Sequence, residues 1–173
     1  QTMPWGVGKN GDKVEYYHRL LDLGTAGIST DRPDIAVEAL DAYYANPPAG
    51  LWNVRDHIPF EKIIVQAHRG YGNAGPEGSL ESFEMAWKLN MAPEADLRMT
   101  KDGTIVSFHD GDFARIIPDA PDELKKKGVK DLTFEETQQL DIGKFRGPQF
   151  AGQRIISLAG MLEVLDAHPD RLF

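Results

Sequence analysis

Three short clusters carry residues able to do acid–base or metal chemistry: His68-Arg69, Glu94-x-Asp96 and His109-Asp110. Each lies at or beside a run patterned as β-strand, namely Ile63-Ile64-Val65, Ala92 to Met99 and Thr104 to Phe108. Barrels and open sheets of the α/β class build their sites at the carboxyl ends of parallel strands, so the three clusters are expected on one rim. Residues two apart in a strand share a face, so Glu94 and Asp96 are expected to aim both carboxylates at one point. Two convergent carboxylates are hard oxygen donors suited to Mg²⁺ or Ca²⁺; without a cation their charges repel and one must be protonated. Imidazole titrates near neutrality, so one of His68 and His109 can deprotonate a nucleophile while the other protonates a leaving oxygen. Arg69 adds a planar cation for phosphate oxygens. Such a set suits cleavage of a phosphodiester. His18, His57 and His168 carry no such company and read as structural or exposed.

The elements that must position these groups alternate quickly from Lys62 onward. Ile63-Ile64-Val65 is apolar and β-branched, the pattern of a strand buried on both faces. A Gly-rich loop follows, and then Leu80, Phe83, Trp87 and Met91 mark the buried stripe of a helix capped by Ser79. Lys101-Asp102-Gly103 is a turn between the second and third strands. Parallel neighbours normally need a crossover of about a dozen residues, and the stretch Leu97 to Gly103 is too short for one. The chain must therefore run back extended or turn as an irregular hairpin, with no helix over that part. Thr133-Phe134-Glu135-Glu136 is a capping box opening a helix to Leu140. Leu158, Met161, Leu162 and Leu165 line a last helix, and Arg171-Leu172-Phe173 read as the approach to another strand.

Ahead of Lys62, apolar positions recur at helical spacing in Val14 to Leu23 and in Ile35 to Tyr44, the second run opened by Asp31, Pro33 and Asp34 and followed by the Pro47-Pro48 stop. Residues 1–60 therefore read as an N-terminal helical extension, two short helices and a loop packed outside the main fold or across one end, with no catalytic constellation. One competing motif needs an answer. Gly70-Tyr71-Gly72-Asn73-Ala74-Gly75 fits the dinucleotide fingerprint Gly-x-Gly-x-x-Gly. In that fingerprint the helix begins inside the glycines, whereas here Pro76-Glu77-Gly78 intervene, and no second crossover helix fits between Asp96 and Thr104.

Composition narrows the class. The chain has 173 residues, 19 Lys and Arg against 27 Asp and Glu, 5 His and no Cys, for a net charge of −8. Thiol nucleophiles, iron–sulfur clusters and cysteine-held zinc are excluded. An acidic chain offers no footprint for a nucleic-acid backbone, and the cluster Lys125, Lys126, Lys127 and Lys130 follows acidic residues and reads as a solvated loop. No stretch approaches the roughly 20 apolar residues of a transmembrane segment.

Taken in order, Ala67-His68-Arg69-Gly70, Gly75-Pro76-Glu77, Ser79-Leu80-Glu81-Ser82-Phe83, Glu94-Ala95-Asp96-Leu97, Thr100-Lys101-Asp102-Gly103 and Val106-Ser107-Phe108-His109-Asp110 closely resemble the glycerophosphodiester phosphodiesterase family. The likeness runs from about Lys62 to Phe173. It implies an α/β fold, a (β/α)₈ TIM barrel, distorted at the hairpin, and hydrolysis of glycerophosphodiesters to sn-glycerol 3-phosphate and an alcohol with a divalent metal, Ca²⁺ or Mg²⁺. It further implies that His68 and His109 are the acid/base pair, that Glu94 and Asp96 are metal ligands, that Arg69 contacts phosphate and that Glu77 supports the site from its loop. A helix N-terminal charge is the alternative role for Glu77.

Two departures stand out. Gly78 occupies a position where the family usually has Asn, and the family's third acidic ligand, in a Glu-x-Lys pattern, is expected on a strand beyond Phe173. From Lys62 on, roughly 110 residues serve an architecture that takes about 250, so 61–173 is expected to be the N-terminal portion of a barrel. Two rivals follow: a truncated, inactive fragment that needs a complementary chain or the missing C-terminal half, and a phospholipase-D-like lyase that releases a cyclic phosphate. A periplasmic or secreted location is the expected compartment.

Overall fold

The computed structural model describes residues 13–46, 59 and 62–173. His57 and the Pro47-Pro48 loop lie outside the described residues. The two N-terminal helices form as expected: α1 spans Val14–Asp22 and α2 spans Pro33–Ala45, with proline in the first turn of α2, where its missing N–H costs nothing. Between them runs a strand that periodicity does not reveal, β1 (Gly27–Thr30), with all four residues buried. It pairs in parallel with β2 (Ile64–Ala67), Gly27 opposite Ile64 and Thr30 opposite Ala67.

That pairing corrects the reading of the first 60 residues as purely helical material outside the main fold. β1, α2 and β2 form one β-α-β unit that crosses the expected boundary at residue 60. The reason is a packing one. Gly27, Ser29 and Thr30 are small enough to be covered, and only Ile28 carries a large apolar side chain, so four residues give no periodic signal.

β2 in turn pairs in parallel with β3 (Ala92–Pro93) after the crossover helix α3 (Leu80–Lys88), giving a sheet ordered β1-β2-β3. The expectation that β2 is buried on both faces holds only for alternate residues. Val65 and Ala67 are in the core, whereas Ile64 is 44% exposed. Strand side chains alternate between faces, and helices cover only one face of β2. The core on that face joins Tyr17 and Leu21 of α1, Ala36, Ala39, Leu40 and Tyr43 of α2, Ile28 of β1 and Ala86 of α3.

Beyond β3 the expected single strand from Ala92 to Met99 is broken. Glu94-Ala95-Asp96 is irregular, and β4 (Leu97–Met99) pairs antiparallel with β5 (Ile105–Ser107), Leu97 opposite Ser107 and Met99 opposite Ile105. The short connection thus resolves as a hairpin without a covering helix. It also means that the third cluster follows an antiparallel strand, not a parallel one as expected. Val106, Phe108, Phe113, Ile116, Val129, Leu132, Ile142 and Ile155 build a second core under the hairpin and the loops that follow.

Three α-helices, with 3-10 turns between them, follow β5. α4 (Asp122–Lys125) ends on Lys125, which is half-buried, while Lys126, Lys127 and Lys130 of the cluster are exposed. α5 (Phe134–Thr137) has the expected reciprocal capping box between Thr133 and Glu136 but stops three residues before Leu140. α6 (Leu158–Ala167) is capped by Ser157 and buries Met161 against Phe83 and Trp87 of α3, although Leu162 of its expected apolar stripe is exposed. The last residues form no strand; the Trp87 indole N–H donates to the Leu172 carbonyl at 2.7 Å. No described helix is long and apolar enough to cross a membrane.

Candidate active site

His68 and Arg69 follow directly on β2. The His68 N–H still reaches the Thr30 carbonyl of β1 at 3.0 Å, so the ladder extends one residue beyond the strand end. Arg69 then takes a left-handed backbone conformation (φ 52°). That region costs a non-glycine residue of order 1–3 kcal/mol and is held only where surroundings fix it. Here the Arg69 N–H donates to Glu94 Oε2 at 3.0 Å, and the Ser82 hydroxyl donates to the Arg69 carbonyl at 3.3 Å. The chain turns at Arg69 and Gly70, both of positive φ, and the guanidinium reaches Glu77 and Asp96.

Arg69 is the centre on which the sequence-derived candidates meet. Glu94 accepts from its backbone, Glu77 Oε1 accepts from its Nη1 at 3.2 Å, and Asp96 Oδ2 lies 3.6 Å from its Nε. His109 shares with Arg69, Asp96 and Glu77 a small crevice of about 10 Å³. His68 lies on the other side of the Arg69–Glu77 pair, in a cavity of about 120 Å³ lined also by Asp31, Asn73, Arg115 and Arg146. The two histidines therefore line separate hollows divided by one ion pair. A larger cavity, about 440 Å³, lies among Ile116, Pro118, Asp141 and Phe145 and contains none of the candidate groups.

Each histidine has a carboxylate on its Nδ1. His68 Nδ1 is 2.5 Å from Asp31 Oδ1, and the His68 side chain is 11% exposed. His109 Nδ1 is 2.6 Å from Asp110 Oδ1, with a more open ring at 42%. Arg98 of β4 donates through Nε to the His109 carbonyl at 2.9 Å and fixes that backbone from below. Burial pushes the Asp110 carboxyl up, but hydrogen bonds from Arg115 and His109 outweigh it and hold the group below the usual carboxylate range.

Glu77 is the most tightly held acid. Its buried carboxylate receives Arg115 Nη2 at 2.6 Å and Nη1 at 2.8 Å as a two-pronged pair, Arg69 at 3.2 Å and Arg146 at 3.4 Å. Burial alone raises its pKa, and the Arg115 hydrogen bonds with the charges of Arg115, Arg69 and Arg146 reverse the sign, so the net shift is downward. Burial lowers Arg146, only partly countered by Glu77. The arrangement is an ion cluster at the base of the site, unlike the lone helix-end charge of the alternative reading.

Gly78 next to it has φ +75°, and a Cβ there would stand 2.7 Å from the Ser107 carbonyl oxygen. Asn tolerates this left-handed region better than most residues, but its Cβ would still crowd the Ser107 carbonyl, so glycine at this position lets the turn approach β5 more closely than Asn allows.

The Glu-x-Asp pair offers hard oxygens, but not by the strand alternation expected, since that stretch is irregular. Asp96 Oδ2 is buried with no hydrogen-bond partner, and Arg69 Nε facing it is likewise unpaired. Asp96 Oδ2, with only the Arg69 charge at 3.6 Å to face, and the Glu94 carboxylate, which meets the same arginine through its backbone, are hard oxygen donors of the kind a divalent cation takes. Among the described residues no group of three or more His, Cys, Asp or Glu converges on one point.

Sequence reasoning missed Asp31, Arg115, Arg146 and Asn73. Asp31 had no usable signal, because the four-residue strand before it carries no periodic pattern. Arg115 and Arg146 had none, because both reach the site from irregular segments.

Comparison with known proteins supplies the family. Residues 68–172 match the glycerophosphoryl diester phosphodiesterase family. The chain belongs to that family. A glycerophosphodiester phosphodiesterase from Caldanaerobacter subterraneus subsp. tengcongensis is 37% identical over 106 residues, which are 60% of this chain and 41% of the relative. A glycerophosphodiester phosphodiesterase of known structure from Agrobacterium tumefaciens superposes with a TM-score of 0.52 at 24% identity, over 60% of this chain and 43% of its own. A phosphodiesterase from Oleispira antarctica, solved with the product sn-glycerol-3-phosphate, superposes with a TM-score of 0.50 at 30% identity, over 60% and 40% of the two chains. The chain spans about two fifths of the length of the relatives it matches. The fold is α/β, part of a distorted TIM barrel.

Proposed function

We propose that this chain carries the proton-transfer and phosphate-binding half of a metal-dependent phosphodiesterase that hydrolyses glycerophosphodiesters to sn-glycerol 3-phosphate and an alcohol. The observation that carries the reading is the meeting at Arg69 of Glu94, Asp96 and Glu77, with a carboxylate-paired histidine on either side. Membership of the family supports it.

In this reading the Arg69 guanidinium orients the phosphate, and Glu77, clamped by Arg115, holds Arg69 in place. One histidine takes a proton on Nε2 from the attacking water, or from the glycerol 2-hydroxyl where a cyclic phosphate forms first and water then opens it, and the other delivers a proton from Nε2 to the departing alcohol oxygen. Carboxylates on both Nδ1 atoms favour the tautomer in which Nε2 does that work. Glu94 and Asp96 would hold the divalent cation, Ca²⁺ or Mg²⁺, which when bound offsets negative charge on a phosphate oxygen.

The test is turnover of glycerophosphocholine by the full-length gene product and by the 173-residue chain, with Ca²⁺ or Mg²⁺ and with EDTA, the product followed by ³¹P NMR. Expected are sn-glycerol 3-phosphate, loss of rate with EDTA, and loss of rate in His68→Ala and His109→Ala. A stable cyclic phosphate would replace the hydrolase by a lyase. Turnover by the longer polypeptide alone would favour the fragment that needs a complementary half, and wild-type rates in both histidine variants would refute the assignment.

A further inference from the structure

We infer that Asp31, supplied by the N-terminal β1 unit, is a positioning residue that fixes the ring orientation and tautomer of His68. The inference rests on the proposed proton-transfer role of His68. Asp31 lies outside the 68–172 segment that matches the family, so its part in the site comes from this chain's own N-terminal unit.

The geometry follows from strand register. Thr30 at the end of β1 stands opposite Ala67 at the end of β2, so the next residue on each chain, Asp31 and His68, emerges side by side. Asp31 Oδ1 then lies 2.5 Å from His68 Nδ1, both side chains being mostly buried. Asp31 is itself held. Its carbonyl accepts from Asn73 N–H at 2.9 Å, and the Gly72 backbone packs against it so closely that a Cβ at Gly72 would collide with that carbonyl. Thr30 is anchored in the same way, its hydroxyl 2.6 Å from the Tyr17 hydroxyl and accepting from Arg32 N–H at 2.9 Å.

A carboxylate on Nδ1 keeps the proton there in the neutral ring. That leaves Nε2 with a lone pair to accept a proton, and the same carboxylate keeps the ring turned for it. No bond to substrate is required of Asp31. Asp31 and His68 share the 120 Å³ cavity with Arg69, so a correctly turned ring faces the guanidinium side of the site. Strand β1 thereby has a use beyond covering the sheet: it brings the second group of a dyad to a histidine at the end of another strand.

The experiment uses Asp31→Ala, Asp31→Asn and His68→Ala in the full-length protein, with far-UV circular dichroism as the fold control. Long-range ¹H–¹⁵N NMR of the His68 ring should show Nδ1 protonated and Nε2 bare in the wild type, and a mixed tautomer in Asp31→Ala. kcat for glycerophosphocholine should fall roughly 100-fold or more in Asp31→Ala with KM within about threefold. Added formate, which can occupy the space of the missing carboxylate, should restore part of that rate in Asp31→Ala and none in His68→Ala. Wild-type kcat in Asp31→Ala beside an inactive His68→Ala overturns the inference alone. An unchanged tautomer with no formate rescue also overturns it, by leaving Asp31 a merely structural part. Wild-type kcat in His68→Ala overturns the functional reading on which it rests. Should Asp31→Ala fail to fold, Asp31→Asn, of the same shape, carries the same kinetic and NMR readouts.

Discussion

Glu77→Gln is the substitution with the largest worked consequence. The wild-type carboxylate is buried and faces the guanidiniums of Arg115, Arg69 and Arg146, with Arg115 bound through both of its terminal nitrogens. The amide keeps the shape but removes the negative charge, and three cations are left facing one another. Breaking a buried pair by neutralising one partner costs about 3–5 kcal/mol. Arg115 is 43% exposed along its side chain and keeps Asp110 at 2.7 Å, so the lower end, about 3 kcal/mol, is expected. For a chain of this size each kcal/mol moves Tm by about 2–4 °C, so Tm should fall by about 6–12 °C at pH 7. The pH dependence gives an independent check. The Glu77 pKa is lowered in the fold relative to its ordinary value of 4.5, so its contribution is fully present above about 4.5 and is lost as pH falls through the lower folded value. The stability gap between wild type and Glu77→Gln, measured by urea unfolding, should stay level from pH 7 to about 5 and close below that. A Tm within about 2 °C of wild type, or a gap that widens in acid, would refute the ion-cluster argument.

Two further outcomes test the positioning elements. Ile28→Ala in β1 removes a fully buried side chain from the core shared with α1, α2 and β2 and should cost about 2–5 kcal/mol in urea unfolding; a change under about 0.5 kcal/mol would mean that β1 is an appendage. Ser79→Ala removes the N-cap acceptor of the Ser82 N–H and the 2.6 Å bond to the Pro76 carbonyl, and should destabilise by about 1–2 kcal/mol, read in the same assay.

The legible parts of the molecule are those with local causes. Ser79 and Thr133 announce helices because a cap needs only a hydroxyl beside an orphan N–H three residues on, and both bonds form. The hairpin of β4 and β5 was legible from chain length alone, since no crossover fits between Leu97 and Gly103. β1 was not legible, because small residues covered by helices carry no periodicity. Nor was the break at Glu94-Ala95-Asp96, where the chain leaves one sheet and enters another. Strand alternation was therefore the wrong reason for bringing Glu94 and Asp96 near one place; both meet Arg69 because its left-handed backbone turns its N–H toward one and its guanidinium toward the other.

The residue types and their order were enough to nominate His68, Arg69, Glu94, Asp96 and His109 as candidates for phosphodiester chemistry, with Glu77 added by the family resemblance, because reactivity resides in side-chain groups and spacing along a strand or loop is local. Tertiary structure decided who stands next to whom. Asp31 meets His68 across 37 residues of sequence, and Arg115 meets Glu77 across 38. Such pairs depend on strand register and on loops folding over a common centre, which are set by packing of the whole chain and leave no trace in the sequence near either partner.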